Sequence, residues 1–149
     1  MVRKSLPWLA ALGVFSGLAA VTFSATLWTR AREWFPWMLQ PLYHDWHVVR
    51  LGWLAAATGI DPLAAPDHPY NYPRLLLHGA DFGLQHLPVG LFGLTAAALV
   101  LGALAFLLSR GGWIAAAGGA VLLLSPPVLL LLERGNLDAW AVVLLALGL

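Results

Sequence analysis

The stretch LPWLAALGVFSGLAAVTFSATLW, residues 6–28, contains no charged residue. At a helical rise of about 1.5 Å per residue it reaches roughly 34 Å, enough to cross the ~30 Å hydrocarbon core of a bilayer. Arg3 and Lys4 precede it, Pro7 suits a first helical turn, and Trp8 and Trp28 stand where interfacial aromatics belong. A cleaved signal peptide is the competing reading. The apolar stretch is longer than an ordinary h-region, however, and lacks a small-x-small cleavage site.

Two more apolar segments of spanning length follow at residues 87–109 and 113–132. Only Arg110, Gly111 and Gly112 separate them, so the spacing predicts a tight antiparallel helical hairpin. A fourth apolar run begins near Ala139 and stops at Leu149, about half of the ~20 residues that a crossing needs. The expectation is an all-α integral membrane protein with three complete transmembrane helices and the start of a fourth. Residues 1–149 then form the N-terminal part of a longer membrane domain. Composition agrees: 60% of residues are apolar and 10% charged, against about 25% charged in soluble domains. A net charge of +1 provides no basic surface for nucleic acid. The absence of cysteine excludes disulfides and thiolate chemistry.

A loop of residues 29–86 lies between the first two spans and holds all five histidines and four of the eight tryptophans. Loops of this length commonly carry function, and this one is too aromatic for a disordered linker. Trp34, Phe35, Trp37, Trp46 and Trp53 suggest short helices in the membrane interface. One is expected over Trp46–Thr58 with Asp45 as N-cap and Gly59 as C-cap, and another over Arg74–His78 after Pro73. Flanking charges nearly balance, with Arg3 and Lys4 on one side of the first span and Arg30 and Arg32 on the other. Arg110 places the hairpin turn in the cytoplasm, which puts the long loop and the turn at 133–138 together on the outer face. Seven arginines to one lysine, with many Ala, Leu and Gly, are the usage of a GC-rich bacterial genome, so the expected location is a bacterial inner membrane.

The polar residues that could carry chemistry fall into three groups. In His44-Asp45-Trp46-His47, Asp45 could act as a general base, with the histidines tuning it or holding an anionic substrate. His44, Asp45 and His47 lack a further ligand for a metal site, and no cofactor is called for. In the proline-fixed stretch from Asp61-Pro62 to Tyr72-Pro73-Arg74, Arg74 could pair bidentately with phosphate. In Glu133-Arg134-Gly135-Asn136-Leu137-Asp138, capping explains Gly135, Asn136 and Asp138 but not why Glu133 and Arg134 crowd the apolar boundary. Ser125-Pro126-Pro127, inside the third span, must kink or unwind it.

Taken in order, these motifs resemble the N-terminal part of the GT-C superfamily of polyprenyl-phosphate-dependent glycosyltransferases. Glycosyltransferase family 87, the mannosyltransferase-like membrane proteins, is the nearest group. The resemblance rests on one span, a loop with an early acid at Tyr43-His44-Asp45-Trp46, Gly59-Ile60-Asp61-Pro62, Tyr72-Pro73-Arg74, a hairpin, and Glu133–Asp138. Leu63 replaces the family's aromatic, and Arg74 replaces a second proline. The resemblance implies a lipid-linked donor of a mannose-type hexose, and Asp45 as the loop's acidic residue at the catalytic centre. It further implies that His44, His47, Asp61, Tyr72, Arg74, Glu133, Arg134 and Asn136 line the substrate site. The rival expectation is a non-enzymatic membrane protein, such as a transporter segment or an envelope assembly factor, because a proline-broken helix beside charges is also a transporter feature.

Overall fold

The computed structural model describes residues 2–34, 42–64 and 70–134, with 143, 144 and 148. Every regular element among them is helical: α1 (Val2–Phe23), α2 (Ala25–Trp34), α3 (His44–Ala57), two 3-10 helices (Arg74–Phe82 and Leu84–His86), α4 (Val89–Ser109), α5 (Trp113–Leu123) and α6 (Pro126–Arg134). Asn136, the capping scheme around it and nearly all of the fourth apolar run lie outside the described residues.

Among the described residues two helices are long and apolar enough to cross a membrane, Ser5–Phe23 within α1 and Val89–Ser109. The count becomes three if α5 and α6, bent by 55° at their junction, form one span. The fold thus holds two to three candidate spans where three complete ones were expected, and it departs from the expected course in two places. The first apolar run does not continue to Trp28, because Ser24 starts a new helix. Its hydroxyl accepts the Leu27 N–H at 3.2 Å and its carbonyl accepts the Trp28 N–H at 2.9 Å, an N-cap inside a hydrophobic sequence. Pro7 also lies one turn further into the helix than expected, since α1 begins at Val2.

The second correction is at Ser125-Pro126-Pro127. The two prolines cannot donate to the carbonyls of Leu122 and Leu123, and the chain tightens instead through Leu124 N–H to Val121 O and Ser125 N–H to Leu122 O. The expected kink is a full break, with Pro126 at the first position of α6, where a missing donor costs nothing.

Helices α1 and α4 pack along each other through Ala11, Val14 and Leu18 on one side and Ala97, Val100, Leu101 and Ala105 on the other. The spacing of three and four residues keeps each set on one helix face. Small residues let the backbones approach, as membrane helix pairs require. Gly90 allows the same approach at the end of the pair, since a Cβ there would collide with the Thr22 methyl group.

Helix α3 begins two residues earlier than expected. Its buried stripe is Trp46, Val49 and Trp53, while Leu51 and Leu54 are exposed. Trp46 stacks on Phe92 of α4 with ring centroids 5.2 Å apart, and the Trp53 indole N–H donates to the Leu76 carbonyl. That bond ties α3 to the first 3-10 helix, which runs one turn beyond the expected end at His78. At the other end of α3, Gly59 takes φ +80°, and the N–H groups of Gly59 and Ile60 return to the Ala56 and Ala55 carbonyls. This is the Schellman closure expected of a glycine just past a helix end.

Candidate functional site

Tyr43 builds the site. It is the only non-glycine residue with positive φ among the described residues, at φ 59° and ψ 45°. A left-handed tyrosine costs on the order of 1 kcal/mol and persists only where its surroundings hold it. Three contacts do so. Its N–H donates to the Glu133 carbonyl at 2.7 Å, its ring lies against Gly93, and its hydroxyl meets Thr22 Oγ1 at 2.9 Å. The Thr22 hydroxyl proton is committed to the Leu18 carbonyl at 2.7 Å, so Tyr43 is the donor in that pair. α1, α4 and α6 thus converge on the residue that starts α3.

The turn at Tyr43 aims Asp45 at α6. Asp45 is 3% exposed, and its Oδ1 accepts from Arg134 Nη2 at 3.1 Å. The expected N-cap role of Asp45 is corrected: Tyr43 occupies that position without a side-chain cap bond, and Asp45 sits in the first turn. There its charge also suits the positive end of the helix dipole. The Arg134 side chain is 41% exposed, so one face of the pair meets solvent while the carboxylate does not. Glu133, next to it, is fully buried. Arg134 Nε and His44 Nδ1 are buried without a hydrogen-bond partner among the described residues. Buried polar atoms are nearly always satisfied, so an Arg134 Nε–H with no such partner, beside its own ion pair, suits an incoming oxygen-rich ligand.

No protein-family model, curated protein or solved structure matches this chain.

The residues singled out in sequence divide into separate groups. Asp45, Glu133 and Arg134 come together, with His44 beside them in the chain. Asp61 and Arg74 meet each other instead, at 2.8 Å on an exposed surface. Asp61 Oδ1 also accepts the Leu63 N–H at 3.1 Å, closing the turn at Pro62. That backbone bond first, and then the Arg74 guanidinium, hold the Asp61 carboxyl below its ordinary range. Arg74 is thus engaged in fixing the loop. Tyr72 packs edge-on to Tyr70 at 6.0 Å, and the Tyr70 hydroxyl donates to the Pro73 carbonyl. Among the described residues there is no group of three or more His, Asp or Glu able to hold a metal ion.

His47 parts from Asp45. Two residues along a helix is a turn of about 200°, so the imidazole faces α1 and α4 rather than α6. It lines a cleft with Thr22 and Tyr43. Burial above all, and then the charges of Arg50 and His44, push its pKa below the ordinary 6.5. The unfolded chain therefore binds more protons than the folded one just below pH 6.5. Stability is full at neutral pH and falls as acidification passes 6.5 toward the lower folded value. The melting temperature in detergent should drop between pH 7 and 5, and His47→Gln should flatten that slope. Equal slopes in the two proteins would contradict the assignment.

Sequence reading missed Thr22, Tyr43 and Gly93 as parts of the site. Thr22 carried a weak signal, a hydroxyl in the last turn of an apolar segment. Gly93 carried none, being one of several glycines in a hydrophobic run.

Proposed function

We propose that this protein is a membrane glycosyltransferase that moves a sugar from a polyprenyl phosphate to an acceptor hydroxyl at the outer membrane face. One observation carries the reading: Asp45, buried at the start of α3, is paired with Arg134 from 89 residues away, whose buried Nε–H has no partner among the described residues. A carboxylate able to take a proton next to a guanidinium able to hold phosphate is the pair that the transfer needs.

In this reaction the acceptor oxygen bonds to the anomeric carbon while the bond from that carbon to the phosphate oxygen breaks. The electron pair leaves with the lipid phosphate. The acceptor proton passes to the Asp45 carboxylate. Arg134, reached from its exposed face, stabilises the charge that grows on the leaving phosphate. Arg74 is given no part in this step because it pairs with Asp61 and not with Asp45.

Membranes containing the protein should convert radiolabelled hexosyl polyprenyl phosphate into a labelled product that survives mild acid, with release of free polyprenyl phosphate. Label that stays on the donor for every hexose and pentose tried overturns the proposal.

The 55° break between α5 and α6 favours a second reading, a transporter whose broken helix borders a substrate path. That reading expects uptake of an unaltered substrate into sealed vesicles and no change in any glycosidic bond.

A further inference from the structure

The cleft that holds His47 lies apart from the Asp45–Arg134 pair. It measures about 360 Å³, inside the roughly 300–1,000 Å³ range of small-molecule sites. Its walls come from the last residues of α1, the first turn of α2, the start of α3 and Gly90 at the head of α4. It therefore sits where both long apolar helices end. Phe23 and Trp28 supply apolar wall, and Phe23 is 75% exposed beside it, a surface that suits acyl chains.

We propose that this cleft is a lateral binding site for a lipid with an uncharged, hydroxyl-bearing headgroup. The inference does not rest on sugar transfer. Among the described residues no Lys, Arg, Asp or Glu lines the cleft, so an anionic head would find no ion-pair partner in its walls, Arg50 acting on His47 only from outside them. Arg50, one turn along α3, is turned away, its Nε donating to the Gln85 carbonyl at 2.9 Å. A neutral imidazole offers one donor and one acceptor, which matches a hydroxyl group. Neither nitrogen of His47 is engaged by the described residues, whereas Thr22 and Tyr43 already bond to each other. Those two hydroxyls set the floor, and His47 remains to read the head. The low imidazole pKa agrees with this role, keeping the ring uncharged at neutral pH.

The test uses the purified protein in phosphatidylcholine nanodiscs with two photoactivatable probes, diacylglycerol and phosphatidic acid, carrying the same acyl chains. Diacylglycerol should label peptides covering residues 21–28 and 42–47, saturably, at least five-fold above phosphatidic acid. Ala25→Trp, at an exposed wall position, should fill the cleft and reduce that labelling at least five-fold. His47→Phe should abolish the preference between the two probes without blocking the cleft, so the test holds even if Ala25→Trp aggregates. Equal labelling by both probes in the unaltered protein overturns the proposal. So does labelling that maps elsewhere, or that neither variant changes.

Discussion

Asp45→Asn should lower the rate of the proposed sugar transfer by about 10²–10⁴-fold, the usual loss when a general base is removed. The substitution separates chemistry from architecture. Asparagine has the shape of aspartate and keeps an oxygen where Oδ1 accepts from Arg134 Nη2. What it loses is the charge and the ability to take a proton. Arg134 is not stranded, because its side chain is 41% exposed and water can reach it. The structural cost should therefore be about 1 kcal/mol, the order of one exchanged hydrogen bond. Size-exclusion behaviour and helical content should be unchanged while transfer from labelled hexosyl polyprenyl phosphate falls by that factor. Asp45→Leu would be the poorer experiment, since it removes the acceptor and the packing together. Near-normal transfer by Asp45→Asn would remove this residue from the mechanism.

How much of this was legible in the sequence depended on distance along the chain. The apolar runs announced helices of spanning length because hydropathy is a property of consecutive residues. Gly59 announced its Schellman turn for the same local reason. Ser24 shows where this logic stops. A run without charges reads as one helix to Trp28, but a single hydroxyl suffices to cap a second helix inside it. Asp45 and Arg134 were each visible as polar residues in unusual surroundings. Their pairing was not, because nothing local to either position encodes a contact 89 residues away. The same holds for Asp61 and Arg74, which as isolated side chains look like ligand residues and in the fold neutralise one another. His47 was grouped with Asp45 by adjacency, and helical geometry then turned it toward a different neighbour.

Gly93 was the least legible position, and it carries the second large prediction. Gly93→Ala should destabilise the protein by about 2–3 kcal/mol, the upper part of the range for overpacking. Alanine is ordinarily the better helix former, by about 1 kcal/mol, so propensity alone gives the opposite sign. What reverses it is Tyr43. A Cβ at Gly93 would collide with the base of the Tyr43 ring, Cγ and both Cδ atoms, the part of the side chain least able to move aside. Nor can the backbone of Tyr43 give way freely. Its strained φ is fixed by the bond to the Glu133 carbonyl, and its hydroxyl is tied to Thr22. Relief requires the start of α3 to lift from α4, which pulls Asp45 away from Arg134. Gly102 supplies the internal control. It lies on the same helix with open space where a Cβ would stand, so Gly102→Ala should be neutral or stabilising. Unfolding in mixed micelles, followed by circular dichroism, should lower the midpoint for Gly93→Ala and leave it unchanged or raise it for Gly102→Ala. The same sign for both would mean that Tyr43 is not held against α4 as the structure has it.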